Sequence, residues 1–183
     1  MNTHIRLLGA IAFAAEKHRY QRRKDADATP YVNHVIAVAM VLAEEGYVTD
    51  EELLLAAVLH DTVEDTDTTF TELEARFGPV IAGLVSEVTD DKTLKKEERK
   101  LLQEVRAPLA SDRAKQLKIA DKICNIRDIT HHPPADWPLE RRLEYLLWST
   151  RVVAGCRGIN LLLDRVYDEA AAEAVRLLEE IPP

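Results

Sequence analysis

Two side chains able to hold a divalent cation stand next to each other in "LHDTVEDTDTT", Leu59 to Thr69. His60 offers an imidazole and Asp61 a carboxylate. Glu64, Asp65 and Asp67 crowd further negative charge into the same stretch, directly after the apolar run "LLLAAV" of Leu53 to Val58. Carboxylates repel one another and resist burial unless something cationic sits among them. A divalent ion at His60 and Asp61 would remove most of that cost. The competing explanation is a solvated acidic helix end in which His60 is merely hydrogen-bonded. Two further residues favour the ion: His34, at the head of the apolar "VIAVAMVL", and Asp121, which interrupts the mostly apolar "LKIADKICNI". Singly, each has the simpler explanation of a satisfied core residue. With His60 and Asp61 they make a mixed nitrogen and oxygen donor set without thiolate. Such a set suits Mn²⁺ or Fe²⁺, with positions left open for water and substrate, better than a closed structural zinc.

Residues this far apart in sequence meet only if separate elements carry them to one place, and the pattern supplies helices. "TPYVNHVIAVAMVLAEEG" has Thr29 as a candidate N-cap, Pro30 at the first helical position and Gly46 at the close. "TDEELLLAAVLHDTVED" opens with the capping-box pattern of Thr49 and Glu52, and Thr69 and Glu72 repeat it. If the first of these runs unbroken, His60 lies over Glu64 and Asp61 over Asp65 on one wide face. Gly78-Pro79 punctuates before "VIAGLVSEVTD". Ser111 caps "SDRAKQLKIADKICNIRDI", whose apolar positions are Leu117, Ala120, Ile123, Cys124 and Ile126; Pro133-Pro134 breaks the chain before "PLERRLEYLLWSTRVVAG". At the N-terminus, Ile5, Leu8, Ile11 or Ala12, and Ala15 recur at helical spacing, which outweighs a signal-peptide reading of "RLLGAIAFAA". Alternating β-branched strands are absent. The expected fold is all-α: a compact single-domain helical bundle spanning residues 1–183, with 166–183 as a C-terminal helix.

Bulk properties narrow the function. The 183 residues carry 24 Lys and Arg against 32 Asp and Glu, a formal charge of −8. That balance argues against a general nucleic-acid binder. It leaves room for a small anionic substrate, because the basic residues are clumped in "EKHRYQRRK" (Glu16 to Lys24) and "DKTLKKEERK" (Asp91 to Lys100). Solvated helix faces are the plain alternative for both islands. No run approaches the ~18 apolar residues of a membrane span. Cys124 and Cys156 form no metal or disulfide pattern and read as small buried hydrophobes in a reducing cytoplasm.

His34, His60-Asp61 and Asp121 match the H…HD…D signature of the HD-domain metal-dependent phosphohydrolases. Together, "RRKDADATPYVNH", "LHDTVEDTDTT", "EVTDDKTL" and "KIADKICNIRDI" make the chain similar, over about residues 5–165, to the small alarmone hydrolases of the Rel/Spo-homologue group, its metazoan SpoT-homologue branch above all. The resemblance implies hydrolysis of the 3′-diphosphate of guanosine tetra- and pentaphosphate to GDP or GTP and pyrophosphate, with one Mn²⁺ and no synthetase activity. It places the metal on His34, His60, Asp61 and Asp121, and gives Glu64 and Asp65 the role of positioning and deprotonating water. It assigns Arg23 and Lys24 to the guanine and ribose, Asn125 to a substrate contact, Lys96 and Arg141 to phosphates, and Tyr145 to the nucleotide. Leu101 stands where human-like members carry Arg, so Arg99 or Lys100 would have to supply that contact; Trp137 fits either the pocket or plain packing. Rival readings are another nucleotide substrate, such as the 2′-phosphate of NADPH, and a non-catalytic nucleotide sensor.

Overall fold

A computed structural model describes residues 3–179. Ten α-helices follow one another among them: α1 (Thr3–Lys17), α2 (Val32–Met40), α3 (Glu51–Leu59), α4 (Thr62–Asp65), α5 (Phe70–Phe77), α6 (Pro79–Val88), α7 (Lys96–Arg106), α8 (Asp112–His131), α9 (Leu139–Ala154) and α10 (Leu161–Glu179). No strand occurs in this stretch; one antiparallel bridge joins Arg22 to Pro30. None of these helices is long and apolar enough to cross a membrane.

Helix α8 is the axis on which the others rest. Ser111 caps its start by accepting the Ala114 N–H. Leu117, Ala120, Ile123, Cys124 and Ile126 are all buried, as their spacing predicts, and Ile119 and Ile129 extend the apolar surface around the helix. Helices α2, α3, α6, α9 and α10 all lie against it. Their buried residues join α8 in one hydrophobic cluster that includes Leu42, Leu55, Leu59, Ile81, Val152, Leu163 and Tyr167. Both cysteines are free and buried.

Several expected boundaries move, each for a local reason. Helix α2 begins at Val32, not Pro30. Asp25 accepts both the N–H and the hydroxyl of Thr29, and the Tyr31 N–H pairs with the Gln21 carbonyl, so the loop claims the groups a cap would need. At α3 the cap is Asp50 in place of Thr49. Its carboxylate accepts the N–H groups of Glu52 and Leu53, and a negative charge is favourable at a helix N-terminus. The Thr69 cap on Glu72 forms as expected. Gly78, at φ 92°, precedes Pro79 at the start of α6. In α1 the buried side is Ala10, Phe13 and Ala14, while Ile5 and Leu8 face solvent; small side chains at positions four apart let α1 lie against α3. The last helix starts at Leu161, ahead of the expected 166, and residues 180–183 lie outside the described residues.

The expected single helix through His60 and Asp61 is interrupted there. The His60 ring donates from Nδ1 to the Ala57 carbonyl (2.7 Å), and the Thr62 hydroxyl donates to the Leu59 carbonyl (2.6 Å). Side chains that take up backbone carbonyls compete with the helical ladder. Asp61 sits at φ −95°, ψ −3°, and α4 restarts one residue later.

Between α2 and α3 the helix closes through a wider turn at Val41–Glu45, with the Gly46 N–H reaching the Val41 carbonyl (2.9 Å). A Cβ at Gly46 would meet Leu163 and the Leu42 carbonyl oxygen at 2.9 Å, whereas one at Gly9, exposed in α1, would meet nothing within 4 Å. The same chemical change should therefore have opposite signs at the two positions. Gly46→Ala is expected to cost about 1–3 kcal/mol through overpacking, and Gly9→Ala to add about 0.5–1 kcal/mol through helix propensity. Urea unfolding of both variants checks this; a stabilised Gly46→Ala would show that α10 is not seated against that turn.

Candidate metal centre and active site

Three helices deliver the ionisable cluster. His34 comes from the first turn of α2, His60 and Asp61 from the break after α3, and Asp121 from the middle of α8. Ligand atoms of His34, His60 and Asp121 lie within 4.8 Å of one another. Nε2 of His34 is 3.2 Å and Nε2 of His60 3.8 Å from Oδ1 of Asp121. Asp61 stands beside this set, with Oδ2 3.1 Å from Nε2 of His60 and 3.8 Å from Nε2 of His34, and it accepts the Tyr31 hydroxyl at 2.6 Å.

The protonation pattern shows what the cluster requires. Because Nδ1 of His60 donates to the Ala57 carbonyl, its neutral tautomer turns a lone pair on Nε2 toward the carboxylates. Among the described residues, that buried Nε2 has no hydrogen-bond partner. A lone pair facing carboxylate oxygens at 3.1 and 3.8 Å is repulsive unless a proton or a cation intervenes. Burial works against charge on His60, but Asp61 and Asp121 outweigh it and hold the ring well above the ordinary imidazole range. Burial likewise opposes ionisation of Asp61 and Asp121. The former is held low by His60 and His34, the latter chiefly by Lys122 and the same imidazoles. The cluster demands positive charge at its centre, and its donors are those a divalent cation accepts. The residues present fit such an ion.

Supports around the cluster orient it. Asn125 donates to Oδ1 of Asp121 (2.7 Å) and Lys122 to Oδ2 (3.0 Å). The Lys122 ammonium, buried, also sits 4.7 Å above the Trp148 ring. Burial and the adjacent Asp61 and Asp65 keep the Tyr31 hydroxyl protonated, so it remains a donor.

Glu64 and Asp65, paired in sequence, part company in space. Glu64 lines the cavity of the metal cluster, about 150 Å³ in volume. Its Oε2 accepts the Asp90 N–H (2.9 Å), and Oε1 lies 3.7 Å from Lys92 and 3.9 Å from Arg99. Burial pushes its carboxyl up to about 7, with Asp61 and Asp90 adding to the rise and the Asp90 N–H opposing it. Asp65 turns into the neighbouring cavity, where it pairs with Lys92 and accepts from Gln21 at 2.9 Å.

That neighbouring cavity, about 430 Å³, is lined by Arg23, Lys24, Asn125 and Tyr145 of the predicted substrate residues, with Tyr31 and Trp137. Arg23 is fixed before any ligand arrives: it pairs with Asp128, donates to Asn125 at 3.2 Å, and lies 5.6 Å over the Tyr31 ring. Lys96 and Arg141 lie apart from Arg23, around an adjoining basic cavity that also takes in Lys24, Arg99, Lys100 and Tyr145. Arg141 rests 4.3 Å over Trp137. Leu101 is exposed and lines neither cavity, while Arg99 and Lys100 line the second. Sequence reasoning missed Tyr31, Lys92, Lys118, Lys122 and Asp128. Only Lys122 had a local signal, its adjacency to Asp121.

A profile of the HD domain matches residues 10–146. The guanosine-3′,5′-bis(diphosphate) 3′-pyrophosphohydrolase MESH1 of Homo sapiens is 53% identical over 158 residues, 86% of this chain and 88% of that protein. Its Drosophila melanogaster namesake is 51% identical over 164 residues, 90% of this chain and 92% of that one. A guanosine-3′,5′-bis(diphosphate) 3′-pyrophosphohydrolase of Aquifex aeolicus shares 41% over 123 residues, 66% of this chain and 17% of a much longer protein. A solved structure described as "A metazoan ortholog of SpoT hydrolyzes ppGpp and plays a role in starvation responses" superposes with a TM-score of 0.88 at 50% identity, covering 90% of this chain and 93% of that one.

The raised carboxyl of Glu64 has a measurable consequence in metal-free protein. Its folded-state value of about 7 exceeds the ordinary 4.5, so its contribution to stability is complete below about 4.5 and is lost as pH rises through about 7. Wild type should therefore lose stability relative to Glu64→Gln between pH 5 and 8 in urea titrations. A divalent cation should move that titration to lower pH. A pH-independent difference between the two proteins would place the titrating group elsewhere.

Proposed function

This chain belongs to the HD-domain family, among the guanosine-3′,5′-bis(diphosphate) 3′-pyrophosphohydrolases, and from that premise we propose how its residues divide the reaction. The enzyme hydrolyses guanosine tetra- or pentaphosphate at the 3′ position. A water oxygen bonds to the phosphorus carried on the 3′ oxygen, and the bond from that phosphorus to the 3′ oxygen breaks. The 3′ oxygen keeps the electron pair and takes up a proton, giving GDP or GTP, and the diphosphoryl group leaves as pyrophosphate. The observation that carries the assignment is the cluster of buried His34 and His60 with half-buried Asp121, beside a carboxyl poised near neutrality.

His34, His60, Asp61 and Asp121 are the proposed metal ligands. Asp61 is held at the rim of the set by Tyr31, and Asp121 by Asn125 and Lys122. A divalent cation held there, Mn²⁺ by the character of the donors, supplies Lewis-acid polarisation of a phosphoryl oxygen and makes water more acidic. Glu64 is the proposed base. Its carboxyl lines the same cavity, and a value of about 7 lets it accept a proton from water at neutral pH and release it again. Asp65, paired with Lys92, is better placed to position than to deprotonate.

Arg23 presents its guanidinium to the guanine and ribose, already oriented by Asp128 and Tyr31, so little side-chain freedom is lost on binding. Lys24 and Tyr145, which line the same cavity as Arg23, join it at the nucleoside, and Lys96 and Arg141 in the adjoining cavity are the proposed phosphate contacts. Net charge of −8 acts only weakly against this local cluster, since screening at physiological salt limits it to about 8 Å. Free buried cysteines suit a cytoplasmic setting.

Four outcomes test the division of roles. Metal-stripped protein reloaded with Mn²⁺ should release pyrophosphate from ppGpp. Glu64→Gln should lower kcat by about 10²-fold or more while binding the metal normally, and Asp65→Asn should fall less. Equal activity of Glu64→Gln and wild type would remove Glu64 from the chemistry. Elemental analysis of His34→Ala, His60→Ala, Asp61→Ala and Asp121→Ala should show large metal loss in each. A variant retaining a full equivalent would strike that residue from the ligand set. Separately, Arg23→Lys should raise KM strongly, since an ammonium offers no planar face to a base, and steady-state kinetics on ppGpp read it directly.

A further inference from the structure

Helix α8 turns one stripe of residues toward the metal cluster, at positions i, i+3, i+4 and i+7: Lys118, Asp121, Lys122 and Asn125. Asp121 is a proposed ligand, and Lys122 and Asn125 hold it. Lys118 remains without such a purpose. The residue is 8% exposed, and no described residue hydrogen-bonds or ion-pairs with its ammonium. Burial and the nearby Lys122 lower its affinity for a proton, while Asp90 and Asp121 oppose that at a distance. A buried lysine without a partner is costly, and such residues are rarely kept inside a fold unless paired.

The position of Lys118 says what would complete it. Three cavities adjoin one another. The nucleotide-sized cavity meets the metal cavity at Tyr31 and Asn125. The metal cavity meets a third, lined by Arg99 and Arg106, at Gln103 and Lys118. Lys118 thus stands on the side of the metal cluster away from the Arg23 pocket. If, as proposed above, the base sits at Arg23 and the scissile phosphorus at the metal cluster, a phosphate beyond that phosphorus continues toward the wall that carries Lys118. Lysine binds phosphate as a point charge, without the planar geometry an arginine demands.

We propose that Lys118 is the anion-recognition residue for the distal phosphate of the 3′-diphosphate. It is the group that distinguishes a 3′-diphosphate from a 3′-monophosphate and that holds the pyrophosphate product before release. This rests on the hydrolase reading above and adds a subsite to it. In the product state the same ammonium pairs with pyrophosphate next to the cavity lined by Arg99 and Arg106.

The test separates the distal phosphate from all other contacts. In Mn²⁺-loaded protein, titration calorimetry compares two ligands made non-hydrolysable by a methylene group in place of the 3′ oxygen. One carries diphosphates at both the 3′ and 5′ positions; the other has the 5′-diphosphate and a single 3′-phosphate. Lys118→Met should weaken the first about tenfold or more, the usual worth of a charged hydrogen bond, and leave the second within about twofold. Lys118→Arg should restore most of the loss. Thermal unfolding of Lys118→Met should show no drop, because an unpartnered buried charge has been replaced by an apolar chain of similar length; Lys118→Gln serves as a second variant should the first be unstable. Equal weakening of both ligands, or of neither, would overturn the proposal. The hydrolase reading is judged apart from it: absence of pyrophosphate release from ppGpp by wild-type enzyme would defeat that reading, and the two-ligand comparison would still decide whether Lys118 senses the distal phosphate.

Discussion

Two buried imidazoles and two half-buried carboxylates gathered where α2, the end of α3 and α8 meet cannot share that space without positive charge between them. Everything nearby is arranged around that constraint. Lys122 neutralises one face of Asp121, Tyr31 donates to Asp61, and the Ala57 carbonyl fixes His60 so that its free nitrogen faces inward. What is left over is a demand for cationic charge that the protein itself does not meet. A cluster built this way is suited to a divalent ion, because its donors are already gathered and one charge of two units answers several carboxylates at once.

The hydrophobic core serves the same constraint. Helix α8 buries its apolar positions from Ala114 to Ile129, and its polar stripe from Lys118 to Asn125, with Leu117, lines the metal cavity. Packing against α2, α3, α6, α9 and α10 anchors this element and holds Asp121 within reach of His34 and His60. The break after α3 contributes in a different way. Had the helix continued, His60 and Asp61 would have projected at helical spacing. The competing bonds from His60 and Thr62 to carbonyls of the preceding turn let both side chains enter one cavity.

Cations elsewhere in the site are held in three ways. Arg23 and Lys92 are paired to carboxylates and so are fixed in direction. Lys96 and Arg141 line a more open cavity and can follow a flexible phosphate chain. Lys118 is buried and, among the described residues, unpaired. A substrate with a rigid base and mobile phosphates fits that gradation, with stiff recognition at the guanine and yielding recognition at the phosphates.

Residue types and their spacing were enough to establish the all-helical class, the Ser111 and Thr69 caps, the buried face of α8 and the candidate ligands His34, His60, Asp61 and Asp121. Each of these depends on local pattern: helical period, capping chemistry, or an ionisable group in an apolar context. Resemblance to a family extended the reading to Arg23, Lys24 and the Glu64-Asp65 pair. Tertiary structure alone decided the rest. It separated Glu64 from Asp65 into different cavities, because the neighbours that capture them, Asp90 and Lys92 among them, lie 25 or more residues further along the chain. It exposed Ile5 and Leu8, whose periodicity marks an apolar face but not which of two neighbouring faces another helix will cover. It gave Arg23 its partner in Asp128 and left Lys118 without one among the described residues. Pairing of charges across helices is set by how the helices pack, and no local pattern encodes a contact made a hundred residues away.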